Sequence, residues 1–263
     1  MAQEKFKRKL TTIFSSEKKT PVFGSSALRR FLFSGTDASL ILFVWIAICQ
    51  CNFLEKSPTT EIFVHEIRCS ALNVVVRSPE LADALIACEG ARDAIGFLAL
   101  QGLDVTGDIA IELLTRLPAV VSGSAAGCCL ESEQRVLILV YSEFKKFKTW
   151  FGIPIDAGLY RSLVSHEVAH VVAACNFKIP APSIQAKEYI AYVTQLETME
   201  PALRNQIMSN FKCKAFEGDW QMSSAIYMFD CVGFGVRAYL HFQNLANRRE
   251  YLQSILNGKA LVE

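Results

Sequence analysis

The sequence lacks several things, and each gap closes a class of function. Its nine cysteines form no CxxC pair, so the thiolate spacing of common structural zinc sites is missing. No apolar run approaches the roughly 20 residues of a membrane-spanning helix. The longest, ASLILFVWIAIC at 38–49, has twelve. Charge is sparse: 20% of residues are charged, and the formal net charge is +1. Residues 1–49 hold eight Lys and Arg against three acids, which leaves the rest of the chain net acidic. An acidic body excludes the basic face that nucleic acid requires. There is no internal repeat and no low-complexity tract. The SGSAAG stretch at 122–127 lacks the Lys-Ser/Thr of a phosphate loop and opens no helix.

What is present begins with 51% hydrophobic residues over a length of 263, enough for one core. A basic stretch followed by a short apolar run has the order of a signal peptide. Ala47 and Cys49 are small residues at the −3 and −1 positions of a cut before Gln50. The expectation is an exported chain, periplasmic or extracellular, that meets the membrane only through this segment. A retained signal anchor and a buried core segment are the alternatives. Residues 50–60 read as a linker and 61–263 as one domain. In an oxidising compartment cysteines pair. Cys69 ends the opening strand segment and Cys88 lies in the helix that follows. The chain between them is long enough for that helix to pack back across the strand, so a Cys69–Cys88 disulfide is expected.

Local patterns then give the order of elements. Residues 73–76 form the clearest early strand. Ser78 reads as an N-cap with Pro79 at the first helical position, opening a helix to Gly102. Residues 108–114 and 135–141 are strands, with a loop at 117–127. Residues 158–175 make a long apolar helix, ended before Pro180 and Pro182. Ser183 caps a helix over 184–197, and Pro201 starts another to 212. Residues 222–256 are helical, with a break near Gly233 and Gly235. Strands gathered early and helices late indicate an α+β fold.

The chemistry sits in the apolar helix. Residues 166–170 read His-Glu-Val-Ala-His, an HExxH motif. Histidines four apart share a helix face, so both imidazoles reach one ion, and zinc is the metal this motif serves. Glu167 lies one step around the helix, off the ligand face, and suits a general base. The helix is apolar on nearly all sides, and buried His, Glu and His need partners that a metal supplies. The metzincin pattern would need Gly at 173 and His at 176, where Ala173 and Asn176 stand. A ligand from a second helix is the other solution. Glu188 lies 18 residues after His170, a distance that lets the chain turn through Pro180 and Pro182 and return. Small Ala191 permits close helix approach. Glu197, Glu200, Asp219 and His241 compete for the role.

HEVAH followed at this distance by Glu188-Tyr189-Ile190-Ala191 resembles the gluzincin metallopeptidases. More closely, residues 61–260 resemble a family of exported bacterial proteins with a minimal gluzincin domain. Leu159-Tyr160-Arg161-Ser162-Leu163 and Ala238-Tyr239-Leu240-His241-Phe242 carry that likeness with the motif. The resemblance implies a zincin-like fold: a small twisted sheet, an active-site helix and a glutamate helix, followed by a helical C-terminal part. It implies that the strand at 135–141 is a substrate-binding edge. It also implies a Tyr or His that stabilises the oxyanion. Tyr227 is the candidate, with Tyr189, Tyr192, Tyr239 and His241 open. The expected activity is zinc-dependent hydrolysis of peptide bonds in a peptide or protein substrate, by a monomer. The alternative is an inactive metal-containing binding protein of the cell envelope.

Overall fold

In the computed structural model, which describes residues 63–119, 121 and 125–262, early apolar alternation becomes a five-stranded sheet. The expected signal segment at 38–49 and the linker at 50–60 lie outside the described residues. The strands are β1 (His65–Arg68), β2 (Val74–Ser78), β3 (Ile109–Leu114), β4 (Gly127–Leu130) and β5 (Arg135–Leu139). Their order is β1-β2-β3-β5-β4. The three inner strands are parallel, and both edge strands run antiparallel. Helix α1 (Leu81–Leu100) makes the crossover from β2 to β3, as a parallel pair demands.

Period-two alternation gives the sheet two unlike faces. Val74, Val76, Ile109, Ile111, Val136 and Ile138 turn into the main core. On the other face Arg77 stands opposite both Glu66 and Glu112 in register, and pairs with them at 2.8 and 3.4 Å. The pair with Glu66 is exposed and stabilises little, while that with Glu112 is part-buried. Their value is in register, because a one-residue slip would bury them.

The helices follow. A short α2 (Tyr141–Phe144) and a two-stranded β6–β7 hairpin (Thr149–Trp150, Ile153–Pro154) lead into α3 (Ala157–Asn176). Then come α4 (Ile184–Thr198), α5 (Pro201–Asn210), α6 (Ser224–Phe229), α7 (Cys231–Asn244) and α8 (Arg248–Leu256). Helix α3 packs between α1, α4 and the sheet, and α7 covers α4. The fold is mixed α+β with a small sheet. Among the described residues no helix is long and apolar enough to cross a membrane.

Cys69 and Cys88 are disulfide-bonded, with Cα atoms 5.4 Å apart, tying the end of β1 to α1. Ser183 caps α4 as expected, accepting from the Ala186 N–H at 3.2 Å.

Three expectations are corrected. Ser78 does not open α1: it closes β2, opposite His65, and its hydroxyl bonds the Glu80 N–H and C=O. That local turn delays the helix to Leu81. The break expected at Gly233 and Gly235 falls instead at Asp230, which caps α7 by accepting from the Gly233 N–H at 2.9 Å. Gly235 lies inside α7 because a Cβ there would come within 2.3 Å of the Tyr192 ring. The strand at 135–141 is not an edge, for β5 is paired with β3 on one side and β4 on the other. The edge on this side of the sheet is β4, whose Gly-Cys-Cys-Leu is too short to show alternation beside a loop rich in Ser, Gly and Ala.

Candidate metal centre

Helix α3 is built to be buried. Asp156 caps it by accepting from the Leu159 N–H at 2.8 Å. Leu159, Leu163, Val164, Val168, Val171 and Val172 are then fully buried around its circumference. This apolar envelope carries His166, Glu167 and His170 inside with it. Spacing of four puts the imidazoles on one face, with their Nε2 atoms 3.2 Å apart. Helix α4 returns alongside and aims Glu188 between them. Its carboxylate lies 3.2 Å from His170 Nε2 and 3.7 Å from His166 Nε2. All three ligand atoms fall within 4.8 Å of one another.

Two observations show that this group could bind a metal ion. Both Glu188 oxygens are buried and make no well-formed hydrogen bond, with the two imidazoles beside them, a costly place for a carboxylate. The donor separations also match the edges of a small tetrahedral site: ligands about 2.0–2.1 Å from an ion stand roughly 3.3 Å apart. A cation satisfies the lone pairs that now face one another.

Burial and charge set the protonation. Burial, and then its neighbour His170, push His166 well below the ordinary histidine range. Burial also pulls His170 down, but Glu188 and Glu167 outweigh it and leave His170 raised. Burial lifts the Glu167 carboxyl to about 7, with His170 opposing and Glu188 assisting. Glu167 Oε1 has no hydrogen-bond partner, and its side chain lies against β4 at Gly127.

Tyr227, on α6, is buried, and its hydroxyl is held protonated first by burial and then by the charge of Glu188. The charge of Glu188 bears on Tyr192 as well, whose hydroxyl is held protonated first by burial. Tyr192 packs its ring edgewise on His166, with centroids 4.6 Å apart. Tyr189 is spent on His241, its hydroxyl 2.7 Å from His241 Nδ1. Tyr239 lies beside Arg204. The other candidate ligands lie elsewhere. Glu197 accepts from Gln243, Glu200 precedes α5, and Asp219 accepts from the Tyr251 hydroxyl and the Leu261 N–H. Tyr192, one of the tyrosines left open by the sequence, lies one turn after Glu188 on the same face. Gly127 escapes a reading of the motif, because its contact with Glu167 exists only across the fold.

Comparison with known proteins adds the following. The profile of a family of unknown function (DUF6639) matches residues 74–263, which include every residue of the centre. No curated protein and no solved structure matches the chain. The chain belongs to the DUF6639 family of unknown function.

Proposed function

We propose that this protein is a zinc-dependent peptidase of the gluzincin kind, hydrolysing peptide bonds of an extended substrate. The observation that carries the reading is the convergence of His166, His170 and Glu188 from two helices, with Glu167 buried beside them and its Oε1 without a hydrogen-bond partner. Two imidazoles, a carboxylate and no thiolate suit zinc in a catalytic rather than a structural site. When bound, zinc polarises the scissile carbonyl and acidifies water.

The remaining roles fall to the chain's own residues. Glu167, with a carboxyl lifted to about 7, can take a proton from water and pass it to the leaving amine at neutral pH. Tyr227, kept protonated, can donate to the carbonyl oxygen as it becomes anionic. The side of β4 that is unpaired among the described residues offers backbone groups to an extended peptide, and Gly127 puts that edge against the base. A zincin-like layout is supported by this arrangement of sheet edge, HExxH helix and glutamate helix. Export is supported by the disulfide, which persists in oxidising compartments.

The test is digestion of a peptide library by wild type and Glu167→Gln, with and without chelator, alongside metal analysis. Wild type should carry one zinc per chain and cleave. Glu167→Gln should keep zinc and lose hydrolysis by several orders of magnitude. Metal loss in that variant, or cleavage that survives complete removal of zinc, would overturn the mechanism.

A further inference from the structure

The proposed reaction draws on two parts of the chain: a metal held by α3 and α4, and a sheet edge on which a peptide lies. The ladder of β4 fixes which groups that edge offers. Ala126 stands opposite Leu139 by continuation of the β4–β5 register, and the Leu139 N–H donates to the Ala126 carbonyl at 2.9 Å. Antiparallel pairs alternate, so the backbone groups of Cys128 and Leu130 also turn to β5. Those of Gly127 and Cys129 turn the other way, to the side of β4 that is unpaired among the described residues.

Directly after Leu130 the strand ends, and Glu131 opens a single 3-10 turn, Glu131–Glu133. The Lys187 ammonium donates to both Glu131 carboxylate oxygens, at 2.8 and 2.9 Å. The Lys187 side chain is 16% exposed and that of Glu131 33%, so solvent screens this pair less than it screens Arg77 with Glu66. The two residues are 56 apart in sequence, and only the fold brings them together. Lys187 directly precedes Glu188 on α4. Neighbours on a helix point about 100° apart. One turn of α4 therefore sends Glu188 to the histidines and Lys187 to the end of the sheet edge.

We infer that Lys187 and Glu131 are a positioning pair: their ion pair pins the end of the substrate edge to the helix that carries Glu188, so that edge and metal keep one register. The inference rests on the peptidase reading. Gly127 presses the same strand on Glu167 of α3, but a steric contact resists approach only. A charged pair with two hydrogen bonds is attractive and directional, and opposes sliding and withdrawal. One residue of slip along a strand is about 3.3 Å, and a displacement of about 1 Å already misplaces a reacting group. Neither residue is a proposed ligand or the base, so loss of the pair acts through geometry.

The experiment uses the full zinc-loaded chain and the variants Glu131→Gln, Lys187→Met and the charge swap of Glu131→Lys with Lys187→Glu. The readouts are kcat and KM on a long peptide that wild type cleaves, zinc content, and amide hydrogen exchange over residues 126–131. Each single variant should lower kcat about ten- to a hundredfold, keep one zinc per chain, and exchange faster at 126–131. The charge swap should recover most of the rate and the protection. A pair that served stability alone would lower Tm and leave kcat unchanged. Wild-type kcat in both single variants, or unchanged exchange at 126–131, would overturn the assignment. Should the charge swap not fold, the double variant of Glu131→Gln with Lys187→Met decides. A loss no larger than that of one single variant shows that the two act as a unit, and a loss equal to the product of both overturns it. A wild type that cleaves no peptide would sink the peptidase reading instead, while hydrogen exchange still decides whether the pair pins the strand.

Discussion

Gly127 on the edge strand and Glu167 on the buried helix touch so closely that no side chain fits between them. A Cβ at 127 would stand 2.7 Å from Glu167 Oε1 and 2.9 Å from its Cγ. Gly127→Ala must therefore move the carboxylate or the strand. The expected result is a fall in kcat of about a hundredfold, since misplacement of a reacting group by about 1 Å costs that much. Zinc content should stay at one per chain, because the ligands come from α3 and α4. Equal activity in Gly127→Ala would mean that Glu167 is not the base.

Tyr227→Phe removes a hydroxyl and nothing else. If that hydroxyl stabilises the oxyanion, kcat should drop about 10²–10³-fold, with zinc affinity changed little. A variant that turns over peptides at the wild-type rate would return Tyr227 to the core.

Metal binding should be visible as stability. A ligand that binds only the folded state at a hundred times its Kd adds about 2.7 kcal/mol. Adding zinc to the metal-free protein should thus raise Tm by several degrees, and Glu188→Gln should abolish the rise. A persistent rise in that variant would place the ion elsewhere.

The Cys69–Cys88 bond closes a loop with a sequence separation of 19. On the chain-entropy account a loop of this size contributes about 3 kcal/mol. Replacing both cysteines with serine should lower unfolding stability by about that amount in denaturant titration. The metal centre, which lies on other elements, should remain able to take up zinc.

His241 gives the fold a dependence on acid. Burial lowers its pKa from the ordinary 6.5, with Asp219 opposing. Below about pH 6.5 the unfolded chain therefore binds more protons at this position than the folded one. Stability from this group is present above that pH and is lost as pH falls towards the lowered folded value. His241→Gln, which keeps an acceptor near Tyr189, should show a shallower loss of stability between about pH 7 and pH 5. Parallel curves for variant and wild type would exclude the contribution.

The sequence by itself determined the α+β class, the long buried helix, the Ser183 cap of α4 and the His166–Glu167–His170 face. Each follows from local periodicity, capping chemistry or the four-residue spacing of ligands, and none needs a distant partner. It also narrowed the third ligand to a few residues, because chain length allows only some acids to return to the motif. Tertiary structure decided the rest. That Glu188 rather than Glu197 meets the histidines depends on how α4 lies against α3, and the close packing of Gly235 on Tyr192 helps to set that. Which strand is the edge depends on pairing with β4, whose four residues carry no periodic signal. Gly127 became visible only across the fold. A missing side chain acquires meaning from the atom it faces, and sequence spacing does not encode that neighbour.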